Sequence, residues 1–131
     1  MIKLLIVADD FTGALDTGVQ FAPHGAVVRV STNLSGNFSQ LNDDTQVLIL
    51  DAETRHMQPK QAYEVIHRIT KDALDAGIPY FYKKTDSVLR GNIGSELSAL
   101  LNASGVKELP FIPAFPQMER ITRGGIHYVG D

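Results

Sequence analysis

The chain has 131 residues, 44% hydrophobic and 21% charged, which suits one domain with one continuous core and is too short for two full-sized ones. Its formal net charge is −3, and its Lys and Arg residues are scattered, with only Lys83 and Lys84 adjacent, so no nucleic-acid partner is expected. It has no cysteine, hence no disulfide framework, and no apolar run near the ~20 residues that span a bilayer. A cytoplasmic protein with no membrane partner is therefore expected.

In chain order, residues 2–8 are apolar apart from Lys3, the pattern of a strand covered on both faces. Asp9 and Asp10 interrupt it too early for a secretory leader. Ala14, Leu15, Gly18, Val19 and Ala22 then recur at helical spacing, with Thr12 as the expected N-cap and Pro23 and Gly25 as the stop. Residues 26–30 predict a second strand. Residues 31–44 are polar and rich in Ser and Asn, and read as a loop with room for one helical turn. Residues 47–50 predict a third strand ending at Asp51. Pro59 opens a helix whose face is Ala62, Val65, Ile66, Ile69 and Ala73, and Gly77 closes it. Residues 79–82 predict a fourth strand. A third helix follows, striped by Ile93, Leu97, Leu100 and Leu101 and capped by Asn92, and residues 109–112 predict a fifth strand. The tail, 121–129, reads as a hairpin turning at Gly124-Gly125. A lone hairpin is marginal in water, so it needs something to pack on: this domain, a missing domain or a second copy, the last as a homo-oligomer or exchanged tail.

Strands alternating with helices predict an α/β fold: an open, mostly parallel sheet with helices on both faces, plus a C-terminal β-hairpin. Such sheets bind ligands at the carboxyl ends of their strands. Three charged segments fall there: Asp9 to Gly13, Asp51 to Arg55, and Lys83 to Asn92. The first sets two carboxylates beside a helix start. Either one caps the helix and the other is solvated, or the pair holds a metal or accepts hydrogen bonds from a polyol, since ionised Asp is acceptor-only. In the second, Arg55 is either part of a salt-bridged loop or faces an anionic group through its planar fork. In the third, Arg90 and Gly91 precede a helix whose backbone N–H groups suit an anion, unless this is an ordinary connection. No phosphate-binding loop and no dinucleotide fingerprint is present, and His24, His56, His67 and His127 lack zinc-ligand spacing, so no metal site is expected. His56 alone borders one of the segments. The turn is also similar to the Asp-x-Asp-x-Thr signature of haloacid-dehalogenase phosphatases, but Ala8 would occupy the nucleophile position.

Three stretches together resemble the four-carbon acid sugar kinase family: Ala8-Asp9-Asp10-Phe11-Thr12-Gly13-Ala14, Lys84-Thr85-Asp86-Ser87-Val88-Leu89-Arg90-Gly91-Asn92, and Pro113-Ala114-Phe115-Pro116. The Arg120 to Val129 hairpin fits the same pattern. The resemblance implies ATP-dependent phosphorylation of a terminal hydroxyl on a threonate, erythronate or 3-oxo-tetronate type acid. It implies a sugar-acid-binding N-terminal domain, of which residues 1–131 are the front part, with ATP and Mg²⁺ held by a C-terminal domain absent from this chain. By motif, Asp9, Asp10 and Thr12 would face the substrate hydroxyls, and Lys84, Asp86, Arg90 and Gly91 would line the same pocket. Arg55 is a looser match. Asp10 is the residue expected to orient or deprotonate the attacking hydroxyl. Arg90 and Arg55 both remain candidates for the substrate carboxylate. The competing readings are a stand-alone sugar-acid binding or regulatory module, and a folded remnant without a ligand.

Overall fold

A computed structural model describes residues 1–38 and 44–130. Four strands, β1 (Leu4–Ala8), β2 (Val28–Ser31), β3 (Val47–Asp51) and β4 (Tyr80–Lys84), form one sheet in the order β2-β3-β1-β4. All three pairings are parallel, with Leu4 opposite both Val47 and Tyr80. The helices are α1 (Phe11–Phe21), α2 (Pro59–Asp75) and α3 (Ile93–Ser104). A separate antiparallel pair, β5 (Arg120–Arg123) and β6 (Ile126–Val129), forms the C-terminal hairpin. The fold is the α/β class that the alternation predicts.

Side chains alternate across a strand, and the two core clusters follow that alternation. Leu5 and Val7 of β1 and Leu48 and Leu50 of β3 pack with Ile66, Ile69 and Ala73 of α2 and Ala99 and Leu100 of α3. Ile6 and Ala8 of β1 and Val47 and Ile49 of β3 pack on the opposite face with Ala14 of α1. Helices therefore cover both faces, with α1 alone on one and α2 and α3 together on the other. The central strand β1 sends its connection to one face, whereas its neighbours β3 and β4 send theirs to the other. The loops part at that point, where open α/β sheets hold ligands.

Several expectations need correction. The cap of α1 is Asp10, whose side chain accepts from the Gly13 N–H; Thr12 is already inside the helix. The buried face of α1 is Gly13, Ala14, Thr17 and Gly18, and Leu15 and Val19 are exposed. Small residues win because the helix lies close to the sheet: a Cβ on Gly18 would sit 3.3 Å from the Ile49 side chain. In α3 the buried face is Glu96, Ala99, Leu100 and Ala103, rotated from the predicted Leu stripe. Residues 109–112 form no strand. Pro110 and Pro113 lack the N–H that a ladder needs, and Ile112 is 82% exposed. Asn92 holds the N-cap position of α3, but its side chain makes no cap bond. Of the predicted 31–44 loop, residues 39–43 lie outside the described residues.

Candidate functional site

The site is built where the loops after β1, β3 and β4 meet. Backbone bonds join the first two loops: the Ala52 N–H donates to the Ala8 carbonyl (2.9 Å) and the Arg55 N–H to the Asp9 carbonyl (3.3 Å). The Asn92 side-chain amide joins the third, donating to the carbonyls of Thr54 and Met57 at 2.9 Å each. The carbonyls it satisfies belong to the β3 loop, which explains why it does not cap its own helix.

Arg55 occupies the centre. Its Nε and Nη2 donate to the two oxygens of Asp9 at 2.9 and 3.3 Å, a fork-on-carboxylate geometry. Its Nη1 lies 2.9 Å from Asp10 Oδ2 and its Nη2 lies 3.5 Å from Asp86 Oδ1. Burial works against the charge on Arg55, but the bond to Asp9 and the fields of Asp9, Asp10 and Asp86 outweigh it and raise its pKa. Every nitrogen of this guanidinium thus faces a carboxylate of the chain itself. Asp9 is 2% exposed with both oxygens on Arg55, whereas the Asp10 side chain is 30% exposed.

Asp86 organises the β4 loop. Its Oδ2 accepts from the Val88 N–H (3.3 Å), the Arg90 N–H (3.0 Å) and Arg90 Nε (2.8 Å), and its Oδ1 from Arg90 Nη2 (2.7 Å). The hydrogen bond from Arg90 is the largest influence on Asp86, and holds its carboxyl well below the usual carboxylate range. The same bond raises the pKa of Arg90. These bonds hold a loop in which Leu89 has φ +62° and Gly91 φ +89°, a costly conformation for the leucine. At Gly91 there is a second constraint, because a Cβ would lie 3.2 Å from Arg55 Cγ. The Arg90 side chain is 65% exposed and leaves Nη1 outside its bonds to Asp86. Lys84 Nζ donates to the Thr85 carbonyl (2.9 Å) and lies 3.4 Å from where a Gly13 Cβ would be, so it reaches across to the acidic turn.

The structure thus brings Asp9, Asp10, Arg55, Asp86 and Arg90 into one ion-pair network, with Lys84 and Gly91 against it. Thr12 is exposed in the first turn of α1, and His56 is exposed. Sequence reasoning missed a buried pair behind the site. Lys83 Nζ lies 2.6 Å from Glu96 Oε2, with both side chains almost fully buried. The signal was available: Lys83 alternates with the core residue Phe81, and Glu96 shares its face with Ala99, Leu100 and Ala103. Among the described residues no group of three or more His, Cys, Asp or Glu is arranged to hold a metal ion. The cavity of about 420 Å³ beside β2 and β3 is lined by Ser31, Phe38, Leu50 and neighbours, and by none of the site residues.

The acidic turn and the braced arginine thus lie at the strand ends, where open α/β sheets hold their ligands. Comparison with known proteins is more specific: the chain belongs to the family described as the sugar-binding N-terminal domain, which matches residues 4–131. A D-threonate kinase of Salmonella typhimurium is 38% identical over 125 residues, covering 95% of this chain and 29% of that protein. A D-erythronate kinase of Heliobacterium modesticaldum is 33% identical over 126 residues, covering 95% of this chain and 29% of that protein. A crystal structure from Bordetella bronchiseptica, described as a domain of unknown function with bound citrate in a domain-swapped dimer, superposes with a TM-score of 0.88 at 32% identity. It is matched over 98% of this chain and 33% of its own. The chain therefore spans about a third or less of the length of these relatives. No described helix is long and apolar enough to cross a membrane.

Proposed function

We propose that this domain binds a four-carbon sugar acid as the substrate-holding part of an ATP-dependent kinase of threonate, erythronate or 3-oxo-tetronate type. The observation that carries this reading is Arg90. It is the exposed guanidinium of the network, oriented by Asp86 and facing solvent beside the acidic turn. Arg55, with its nitrogens already on Asp9, Asp10 and Asp86, is assigned to holding those carboxylates in place. The substrate carboxylate then falls to Arg90 and Lys84. Asp10, the more exposed of the paired aspartates, and Thr12 take the hydroxyls, with Asp9 supporting from behind and Gly91 leaving room for Arg55. The names of the relatives, and the citrate bound by the Bordetella protein, support an acidic polyol ligand.

In this reading Asp10 orients the attacking hydroxyl and accepts its proton, using lone pairs left by the Gly13 N–H and Arg55. Phosphoryl transfer needs little more from this side than position and charge. The carboxylates of the network are committed to arginines and do not fit a Mg²⁺ shell, and the sequence has no phosphate loop. We assign ATP and its metal to residues outside this chain. A homodimer is proposed as well. It is supported by the exposed apolar side chains of the hairpin (Ile126 and Val129 above half exposed) and by the domain-swapped relative. Light scattering of the purified chain decides it, and a monomer mass rejects it.

Titration calorimetry with D-threonate and D-erythronate, wild type against Arg90→Ala, tests the site. The expected outcome is binding by the wild type and a loss of tenfold or more in the variant, on the order of one charge-assisted contact. Equal binding by the two proteins would remove Arg90 from the site and the reading with it.

A further inference from the structure

A side chain of the hairpin reaches the loop after β4. His127 Nε2 lies 2.7 Å from the Ser87 carbonyl oxygen, and His127 Nδ1 lies 3.0 Å from Thr122 Oγ1. A carbonyl oxygen only accepts, so Nε2 must carry a proton and donate. In the neutral ring Nδ1 is then the acceptor, and the Thr122 hydroxyl donates to it. Thr122 and His127 are cross-strand partners in the β5–β6 register, so the hairpin itself sets the ring.

Ser87 is the residue after Asp86 and three before Arg90. The loop it belongs to holds Leu89 at φ +62°, which the chain resists and which surrounding contacts must enforce. Asp86 supplies contacts from within, by accepting from the Val88 and Arg90 N–H groups. His127 holds the same loop from without. We propose that His127 is a positioning residue for the sugar-acid site: by fixing the Ser87 carbonyl it keeps Arg90 in its ligand-ready place. The hairpin would thus be part of the binding apparatus although none of its residues need touch ligand. This rests on the functional reading above only for what the loop binds.

Two measurements on the full chain separate the parts. Amide hydrogen exchange of Val88, Leu89 and Arg90, read without ligand, should quicken about five- to tenfold in His127→Ala, the worth of about one net hydrogen bond. His127→Gln, whose amide nitrogen can take the place of Nε2, should restore slow exchange, and Ser87→Ala should change nothing, because the acceptor is backbone. Calorimetry with D-threonate should show Kd raised by a similar factor in His127→Ala and recovered in His127→Gln, with Arg90 itself intact. Unchanged exchange in His127→Ala overturns the proposal, as does a His127→Gln no better than alanine. Exchange that quickens while threonate affinity stays constant overturns the positioning role. Failure of the wild type to bind threonate, erythronate or citrate would instead sink the sugar-acid reading, and the exchange arm still decides whether His127 holds the loop.

Discussion

Arg55→Met removes the guanidinium and keeps the aliphatic stem that lies against Gly91. The variant strips Asp9, 2% exposed, of both its hydrogen bonds, and Asp10 and Asp86 of a nearby positive charge. Breaking a buried pair by removing one partner costs about 3–5 kcal/mol, chiefly because a charge is left uncompensated. Asp10 is partly solvated, and its share is screened, so the lower half of that range is expected. For a domain of this size each kcal/mol moves Tm by roughly 3–5 °C, giving a fall of about 9–20 °C. Thermal and urea unfolding followed by circular dichroism would measure it. The double variant Asp9→Asn with Arg55→Met separates causes, because it removes the stranded charge as well. It should regain about half of the loss. A single variant within about 1 kcal/mol of wild type would show that the Asp9–Arg55 pair does not hold the loops together. A double variant no better than the single would show that the cost comes from lost packing.

Acid titration of stability should carry the signature of Asp86. Its folded-state pKa lies below its unfolded value of ~3.9, so its contribution is full above that value and is lost as pH falls through the folded one. Unfolding from about pH 6 to about pH 2 should therefore show a steep acid limb, and Asp86→Asn should flatten it. Asp51 behaves oppositely. Burial, then the charges of Glu53, Asp10 and Asp9, raise its pKa against the pull of the Glu53 N–H, and its Oδ2 has no hydrogen-bond partner among the described residues. It is best tolerated when protonated, and that advantage disappears as pH rises through its folded value. Asp51→Asn should accordingly raise stability at neutral pH by up to about 1 kcal/mol, and a lower Tm would refute this. Gly91→Ala combines a left-handed backbone with a Cβ 3.2 Å from Arg55 Cγ, so a loss of about 1–2 kcal/mol or more is expected in chemical denaturation.

The sheet was legible because parallel strands buried on both faces read as solid apolar runs, and residues 4–8 and 47–50 are such runs. The three loops were legible because they carry charge at strand ends. What the pattern could not supply was which charge meets which. Arg55 and Arg90 look alike in sequence, yet one is committed to Asp9 and the other is exposed. That difference comes from the register of β1 against β3, which sets Asp51 beside Ala8 and so brings the following loop over Asp9. The α1 face was misjudged by favouring the larger apolar residues, when close approach to the sheet selects Gly and Ala. The apolar side chains of 109–112 suggest a strand, but Pro110 removes a ladder donor within it and Pro113 follows directly. Neither metal-ligand spacing nor nearness in sequence to a charged segment marks His127, because its partner is the backbone carbonyl of Ser87, 40 residues away.

The balance of charge around Arg55 has a kinetic consequence. Asp9, Asp10 and Asp86 stand against Arg55, Arg90 and Lys84, so the cluster is nearly neutral as a whole while the chain carries a formal charge of −3. Seen from beyond a Debye length, about 8 Å at physiological salt, such a cluster offers an approaching anion almost no attractive field. Encounter is then unsteered, and its rate should vary little with ionic strength. At the proposed site, selectivity among acids would then be exercised after contact, in how long Arg90 and the acidic turn retain each one.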